Sequence, residues 1–240
     1  MLRRDFLQAA LVAPVAGLTG AVKANTGTEE KPFIVNAGVG GNNTVDLLAR
    51  IERDCLVHRP DMTILMVGTN DMNSKKYIPL PTYRQNLLKL IGLIRDAGSE
   101  VLLMNILPAY EPYLYTRHPE SFYAPEGYQG RKNQVNELIR KTAEELKLHF
   151  LDLHHIFEKV GNIGESPDSL LQNMANTQKT DGVHPTPEGY RTIAVAVYEK
   201  LLTIAAPHKR LVCFGDSITN GGGGTDGRSY PAYLKRLLGF

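Results

Sequence analysis

The chain has 240 residues, 42% of them hydrophobic and 22% charged, with 27 Lys and Arg against 25 Asp and Glu. That length suits one α/β domain with a full core, or two small ones, and nearly balanced charge without a basic block argues against an electrostatic nucleic-acid binder. Cys55 and Cys213 are the two cysteines; far apart and without CxxC spacing, they exclude a disulfide scaffold or a Cys-rich zinc module and are expected to be buried thiols.

Residues 1–24 are expected to be an export signal and not part of the fold. They carry paired arginines, an apolar Ala/Val/Leu run and small residues ending Val22-Lys23-Ala24, the layout of a cleaved leader. The run is short and interrupted by Gly and Pro, so no membrane span is expected, and no stable membrane insertion of the mature chain. Arg3-Arg4-Asp5-Phe6-Leu7 resembles the twin-arginine signature of bacterial export, which places the protein in the periplasm or outside the cell; an ordinary secretory signal is the alternative. Without Arg3, Arg4, Asp5 and Lys23, the mature chain keeps 24 basic and 24 acidic residues.

Residues 25–240 read as a single domain in which strands and helices alternate. Phe33–Asn36 is an apolar run closed by a Gly-rich turn, hence a buried strand. Thr44–Val57 repeats Val45, Leu48, Ile51 and Cys55 at helical spacing. Met62–Val67 is a second strand, followed by Gly68-Thr69-Asn70-Asp71. A helix over Pro81–Ala97 opens on a proline and stops at Gly98. Val101–Leu107 is a third strand, and a Tyr- and Pro-rich segment leads to a helix at Arg131–Leu146. His149–Leu153 is a fourth strand. After a loop come a helix at Glu188–Ala205, a strand at Arg210–Phe214, a glycine-rich loop and a last helix near Tyr230–Leu238. Short buried strands alternating with helices imply a parallel sheet between helical layers, with chemistry at the carboxyl ends of the strands.

Four strand exits carry suitable residues. Gly215-Asp216-Ser217-Ile218-Thr219 sets a serine between strand and helix, where it can expose a nucleophilic hydroxyl or simply cap the helix. Asp181-Gly182-Val183-His184-Pro185 offers a base and a carboxylate to orient it, three residues apart in a proline-stiffened loop; a surface Asp and a surface His are the alternative. Asn70 at the second strand exit is a side-chain donor for a developing oxyanion. Asn36–Thr44 holds glycines that let backbone approach a ligand, but it lacks the third glycine of G-x-G-x-x-G and a Walker lysine, which excludes a nucleotide loop.

Together, GDSIT, NAGVGGNNT, GTND and DGVHP resemble the blocks of the SGNH, or GDSL, hydrolase superfamily. The resemblance implies a three-layer α/β/α, flavodoxin-like fold around a parallel sheet of about five strands. It implies Ser217 as nucleophile, His184 as general base and Asp181 as its orienting carboxylate. The amides of Ser217 and Gly41 (in preference to Gly40) and the Asn70 side chain would form the oxyanion hole, with no metal or cofactor. Asp71 and Asp216 would be structural neighbours. One departure is plain: the GDS block opens the family pattern but closes this chain. Joining SYPAYLKRLLGF to PFIVNAGVGG restores the family order, so the chain resembles a circular permutant broken between first helix and second strand. That arrangement puts Arg210–Phe214 inside the sheet of a monomer; a domain-swapped dimer is the alternative.

The expected activity is a serine esterase acting on short-chain acyl esters, acetyl on carbohydrate foremost. An acyltransferase, a lipase- or lysophospholipase-type esterase and a silent carbohydrate-binding module are the rivals. Tyr110, Tyr113, Tyr115, Phe122, Tyr123 and Tyr128 either rim the cleft for sugar rings or pack their long loop down, packing being the more common outcome. His118, His149, His154, His155 and His208 show no metal-ligand spacing, and structural roles are expected for His154 and His155.

Overall fold

Five apolar runs become the strands β1 (Phe33–Gly38), β2 (Met62–Met66), β3 (Glu100–Met104), β4 (His149–Leu151) and β5 (Arg210–Gly215) of the computed structural model, which describes residues 31–240. The expected export segment, residues 1–24, lies outside the described residues. All pairings are parallel, in the order β1-β5-β2-β3-β4. The last strand in sequence is therefore an inner strand. Cys213 of β5 stands opposite Asn36 on one side and Ile64 on the other, in keeping with the interior position expected for Arg210–Phe214.

The helices among the described residues are α1 (Thr44–Asp54), α2 (Leu80–Asp96), α3 (Glu111–Leu114), α4 (Gly127–Glu145), α5 (Leu153–Val160), α6 (Met174–Thr177), α7 (Pro187–Leu202), α8 (Ser217–Asn220) and α9 (Tyr230–Leu238). Side chains alternate along each strand, so one sheet supplies two cores. Val212 and Phe214 of β5 join Leu65, Leu103 and the inner faces of α1, α2 and α4. Leu211 and Cys213 join Ile64, Leu102 and the inner faces of α5, α7 and α9. The result is the expected three-layer α/β/α sandwich. Cys55 and Cys213 are buried and free, in opposite cores. None of the described helices is long and apolar enough to cross a membrane.

Local signals place the helix starts. Asn43 caps α1 by accepting from the Asp46 amide while Asp46 accepts from the Asn43 amide, each at 3.0 Å, a reciprocal capping box. Prolines stand in the first turn of α2, α7 and α9, where no intrahelical donor is lost.

Three expectations need correction. β3 ends at Met104, not Leu107, because the Asn136 side chain takes the place of a neighbouring strand: its Oδ1 accepts from the Ile106 amide (3.0 Å) and its Nδ2 donates to the Ile106 carbonyl (3.1 Å). β4 ends at Leu151, and the loop expected after it begins with α5, capped by Asp152, whose carboxylate accepts from the His155 amide at 3.0 Å. The inward stripe of α1 is Thr44, Leu47, Arg50 and Ile51, and Val45 faces solvent.

Arg50 turns that stripe inward. Its guanidinium donates to the carbonyls of Ala37 (2.9 Å) and Gly215 (2.8 Å) and to Asn42 Oδ1 (2.7 Å). It also pairs with Asp54 at 3.2 Å and lies 4.6 Å above the Phe214 ring. One buried cation thus ties the ends of β1 and β5 to the glycine loop. Arg50→Met would remove a charged donor from two strand-end carbonyls, of which Gly215 keeps the Val39 amide at 3.2 Å, so a loss of about 2–4 kcal/mol is expected in urea unfolding. An unchanged urea midpoint would show that the clamp carries no stability.

Candidate active site

The carboxyl ends of β5, β2 and β1 bring three of the four marked segments together, and the loop before α7 supplies the fourth. β5 runs into α8 with no intervening loop. A Cβ at Gly215 would lie 2.3 Å from Thr219 Oγ1 and 2.4 Å from the Met66 carbonyl, so only glycine permits this reversal. Asp216 caps α8, accepting from the Ile218 amide at 2.9 Å. Ser217 is the first residue of the helix, where a backbone amide has no intrahelical acceptor.

His184 Nε2 lies 3.0 Å from Ser217 Oγ, and His184 Nδ1 lies 2.9 Å from Asp181 Oδ2. A carboxylate only accepts, so Nδ1 carries the proton and Nε2 is left to accept from the serine hydroxyl. Asp181 Oδ1 also accepts from the amides of Val183 (2.9 Å) and His184 (2.7 Å). Burial works to raise the Asp181 pKa, but the His184 ring and these two amides outweigh it and hold the carboxyl well below the usual carboxylate range.

The loop that carries this pair is strapped on two sides. Residues 170–172 run beside 182–186, with the Gln172 amide donating to the His184 carbonyl and the Gly182 amide to the Gln172 carbonyl, both at 2.9 Å. On the other side Arg117 donates through Nη2 to the Asp181 carbonyl, with Nη1 3.6 Å from Oδ2. Arg117 was not marked in the sequence; it lies 64 residues from Asp181 in a Tyr-rich loop, and no local pattern sets it apart.

Asn70 follows β2. Its Nδ2 donates to the Asn42 carbonyl at 2.9 Å and its Oδ1 accepts from Asn73 at 3.1 Å, which fixes the amide's orientation and leaves one N–H uncommitted. Gly41, beside Asn42, adopts φ +75°. Asp71 and Asp216 are buried structural carboxyls, each 1% exposed. Asp71 accepts from the amide and hydroxyl of Thr44, at 2.9 and 2.5 Å. Burial pushes both acids up to about 6.

Ser217 and His184 border a pocket of about 70 Å³ walled by Asn70, Asn73, Leu114, Arg117, Tyr123 and Val183. The aromatic segment does more packing than rimming. Tyr123 and Tyr128 are buried, and the Arg131 guanidinium lies over the rings of Tyr77, Phe122 and Tyr123 at 4.7–5.1 Å. His118 is buried with Nδ1 2.9 Å from Ser74 Oγ. His154 pairs with Glu158 at 3.0 Å and does not line this pocket. Among the described residues no group of three or more His, Cys, Asp and Glu could hold a metal ion.

A hydroxyl, an imidazole and a carboxylate hydrogen-bonded in line at the carboxyl edge of a parallel sheet form the arrangement of a serine hydrolase. The sequence model of the GDSL-like lipase/acylhydrolase family matches residues 13–192. That stretch takes in the glycine, Asn70 and Asp181–His184 segments and stops short of Ser217. An uncharacterized lipoprotein of Bacillus subtilis, YqeF, is 30% identical over 173 residues, 67% of this chain and 70% of the relative. An acetylxylan esterase of Geobacillus stearothermophilus is 25% identical over 198 residues, 79% of this chain and 80% of that protein. The crystal structure of a lipase/acylhydrolase from Enterococcus faecalis shares the fold, with a TM-score of 0.52 at 21% identity over 67% of this chain and 71% of that one. The chain belongs to the GDSL-like lipase/acylhydrolase family and is a serine ester hydrolase.

The buried acids set a pH dependence of stability. Asp71 in the folded state keeps its proton above the model-peptide value of 3.8, so the folded state binds more protons between pH 4 and 6 and unfolding free energy falls across that window. Asp181, with its lowered pKa, acts in the opposite sense and below that window, losing its contribution as pH falls. Asp71→Asn keeps an acceptor for Thr44 and is expected to remove about 2–3 kcal/mol of the decline between pH 4 and 6. Urea unfolding at pH 4, 5, 6 and 7 measures it; parallel curves for the two proteins would refute the assignment.

Proposed function

We propose that this chain hydrolyses short-chain acyl esters, acetyl esters of carbohydrates foremost, through an acyl-enzyme on Ser217. The observation that carries it is the unbroken line Ser217 Oγ–His184 Nε2 at 3.0 Å and His184 Nδ1–Asp181 Oδ2 at 2.9 Å. In this mechanism His184 takes the Ser217 proton as Oγ attacks the ester carbonyl. Asp181 stabilises the imidazolium. The oxyanion is met by the uncommitted N–H of Asn70 and the amides of Ser217 and Gly41. His184 then protonates the departing alcohol, and water, activated the same way, releases the acid and restores the Ser217 hydroxyl.

The choice of a short acyl group is supported by the small volume of the pocket beside Ser217, about 70 Å³. The carbohydrate alcohol is supported by likeness to the acetylxylan esterase. Residues 1–24 act as the export signal of a periplasmic or extracellular enzyme on the strength of their twin-arginine pattern. The segment order is that of a circular permutant, an inference supported by the place of β5 between β1 and β2 and by a family match that ends at residue 192. The chain is taken to act as a monomer, with a domain-swapped dimer as the alternative.

The test is turnover of p-nitrophenyl acetate, butyrate and octanoate by residues 25–240 beside Ser217→Ala and Asn70→Ala. Serine-dependent hydrolysis falling with acyl length is expected, with Asn70→Ala slower by about 10²–10³ in kcat. A faster rate on octanoate would sink the short-acyl assignment. Hydrolysis that persists in Ser217→Ala would remove Ser217 as nucleophile.

A further inference from the structure

A second concavity opens on the same edge of the sheet, between the exit of β3, the start of α4 and the end of α5. Its volume is about 580 Å³, within the range of roughly 300–1,000 Å³ found for small-molecule sites. One wall is a hydrogen-bonded relay. Lys132 Nζ donates to Gln129 Oε1, and Gln129 Nε2 donates to Glu111 Oε1 at 2.6 Å. The other wall holds Glu158 and Asn162, and Tyr110 stands at one end. The Lys132 side chain is buried, 3% exposed overall, and Gln129 takes one of the three hydrogens on its ammonium group.

The cleft is joined to the catalytic loop through backbone. The Tyr110 amide donates to the Gly182 carbonyl at 2.8 Å, between Asp181 and His184. Gly182 adopts φ +67°, and a Cβ there would lie 2.8 Å from the Tyr110 carbonyl. The Tyr110 ring is braced edge-on against Tyr113, centroids 5.0 Å apart. Cleft and triad therefore keep a set separation.

Charge selects the kind of ligand. An anion entering here meets Glu111 and Glu158, a cation meets the buried Lys132, and an acyl chain strips water from all three, leaving unmet whatever hydrogen-bonding capacity Gln129, Tyr115 and His154 do not take up. A neutral molecule rich in hydroxyls avoids each penalty, because every hydroxyl both donates and accepts, and it has the Tyr110 ring at its end to lie against. We propose that this cleft is a remote subsite for a neutral oligosaccharide chain whose esterified ring sits at Ser217. The subsite rests on the esterase function proposed above and extends it from the scissile ester to the polymer that bears it.

The test uses wild type, Lys132→Met and Gln129→Ala on three substrates: p-nitrophenyl acetate, acetylated xylobiose and acetylated xylotetraose. Gln129 is exposed on α4, so its variant keeps the test valid if Lys132→Met does not fold. The expected result is a KM for acetylated xylotetraose raised about tenfold in the variants, with kcat within about twofold and p-nitrophenyl acetate unchanged, the loss expected for one hydrogen bond to a charged group. Acetylated xylobiose, which carries a single ring beyond the esterified one, is the comparison and is expected to be little affected. An unchanged xylotetraose KM in the folded variants, or a wild-type KM that does not fall from two rings to four, overturns the subsite while leaving the esterase intact. Absence of serine-dependent turnover on p-nitrophenyl acetate would count against the esterase function. The cleft is then judged by calorimetry with unacetylated xylotetraose: binding to wild type that Lys132→Met and Gln129→Ala weaken supports it, and no binding to wild type overturns it.

Discussion

Everything chemical in this molecule depends on a strand from the end of the chain being held between two strands from its beginning. β5 forms ladders with β1 and β2 at once, and that double pairing delivers Ser217 to a point between the glycine loop and Asn70. The side-chain pattern of β5 makes the position obligatory. Leu211, Val212, Cys213 and Phe214 are fully buried, two on each face, and an edge or an unpaired position would expose apolar surface and a row of backbone donors and acceptors. Arg50 completes the arrangement by bonding the carbonyls at the ends of β1 and β5 together with the glycine loop.

Around Ser217 the polar groups are arranged by backbone more than by one another. Asp181 is held ionised by its own loop's amides and by His184, and the loop is strapped by residues 170–172 and by Arg117. Preorganisation of this kind would leave little reorganisation for an imidazole that takes up charge in the proposed mechanism. The neighbouring acids Asp71 and Asp216 stand in the opposite condition: burial raises both, and one oxygen of each has no hydrogen-bond partner among the described residues. Their stabilising role is geometric. Asp71 anchors the start of α1 through Thr44, and Asp216 caps α8 through Ile218.

The two concavities differ in size and polarity. The pocket beside Ser217 is small; the cleft beyond Tyr110 is several times larger and lined by groups of both charges. Most of the aromatic segment between them serves as a buttress. Its rings pack edge-to-face on one another and under Arg131, which holds the long loop in place.

Much of this was legible in the sequence because it is written in local spacing. Short apolar runs bounded by turns marked all five strands, helical spacing and start and stop signals marked long helices, and the segments around Ser217, Asn70 and Asp181–His184 stand out as polar residues in the marked segments. α5 was missed although Leu153, Ile156, Phe157 and Val160 keep helical spacing, because the strand and the helix are separated by the single residue Asp152 and no turn residue divides them. The inward face of α1 was misassigned because a buried arginine reads as a surface residue until its acceptors are known. Those acceptors are carbonyls of Ala37 and Gly215, groups that every residue possesses and that no sequence pattern marks. The sequence by itself determined which polar residues stand in the marked segments and which segments are buried, since both follow from side-chain identity and near-neighbour order. Only the tertiary structure decided that Arg117 secures Asp181, that Arg50 joins two strand ends, and that a polar cleft lies beside the catalytic loop, because each depends on groups brought together across many tens of residues by the pairing of the sheet.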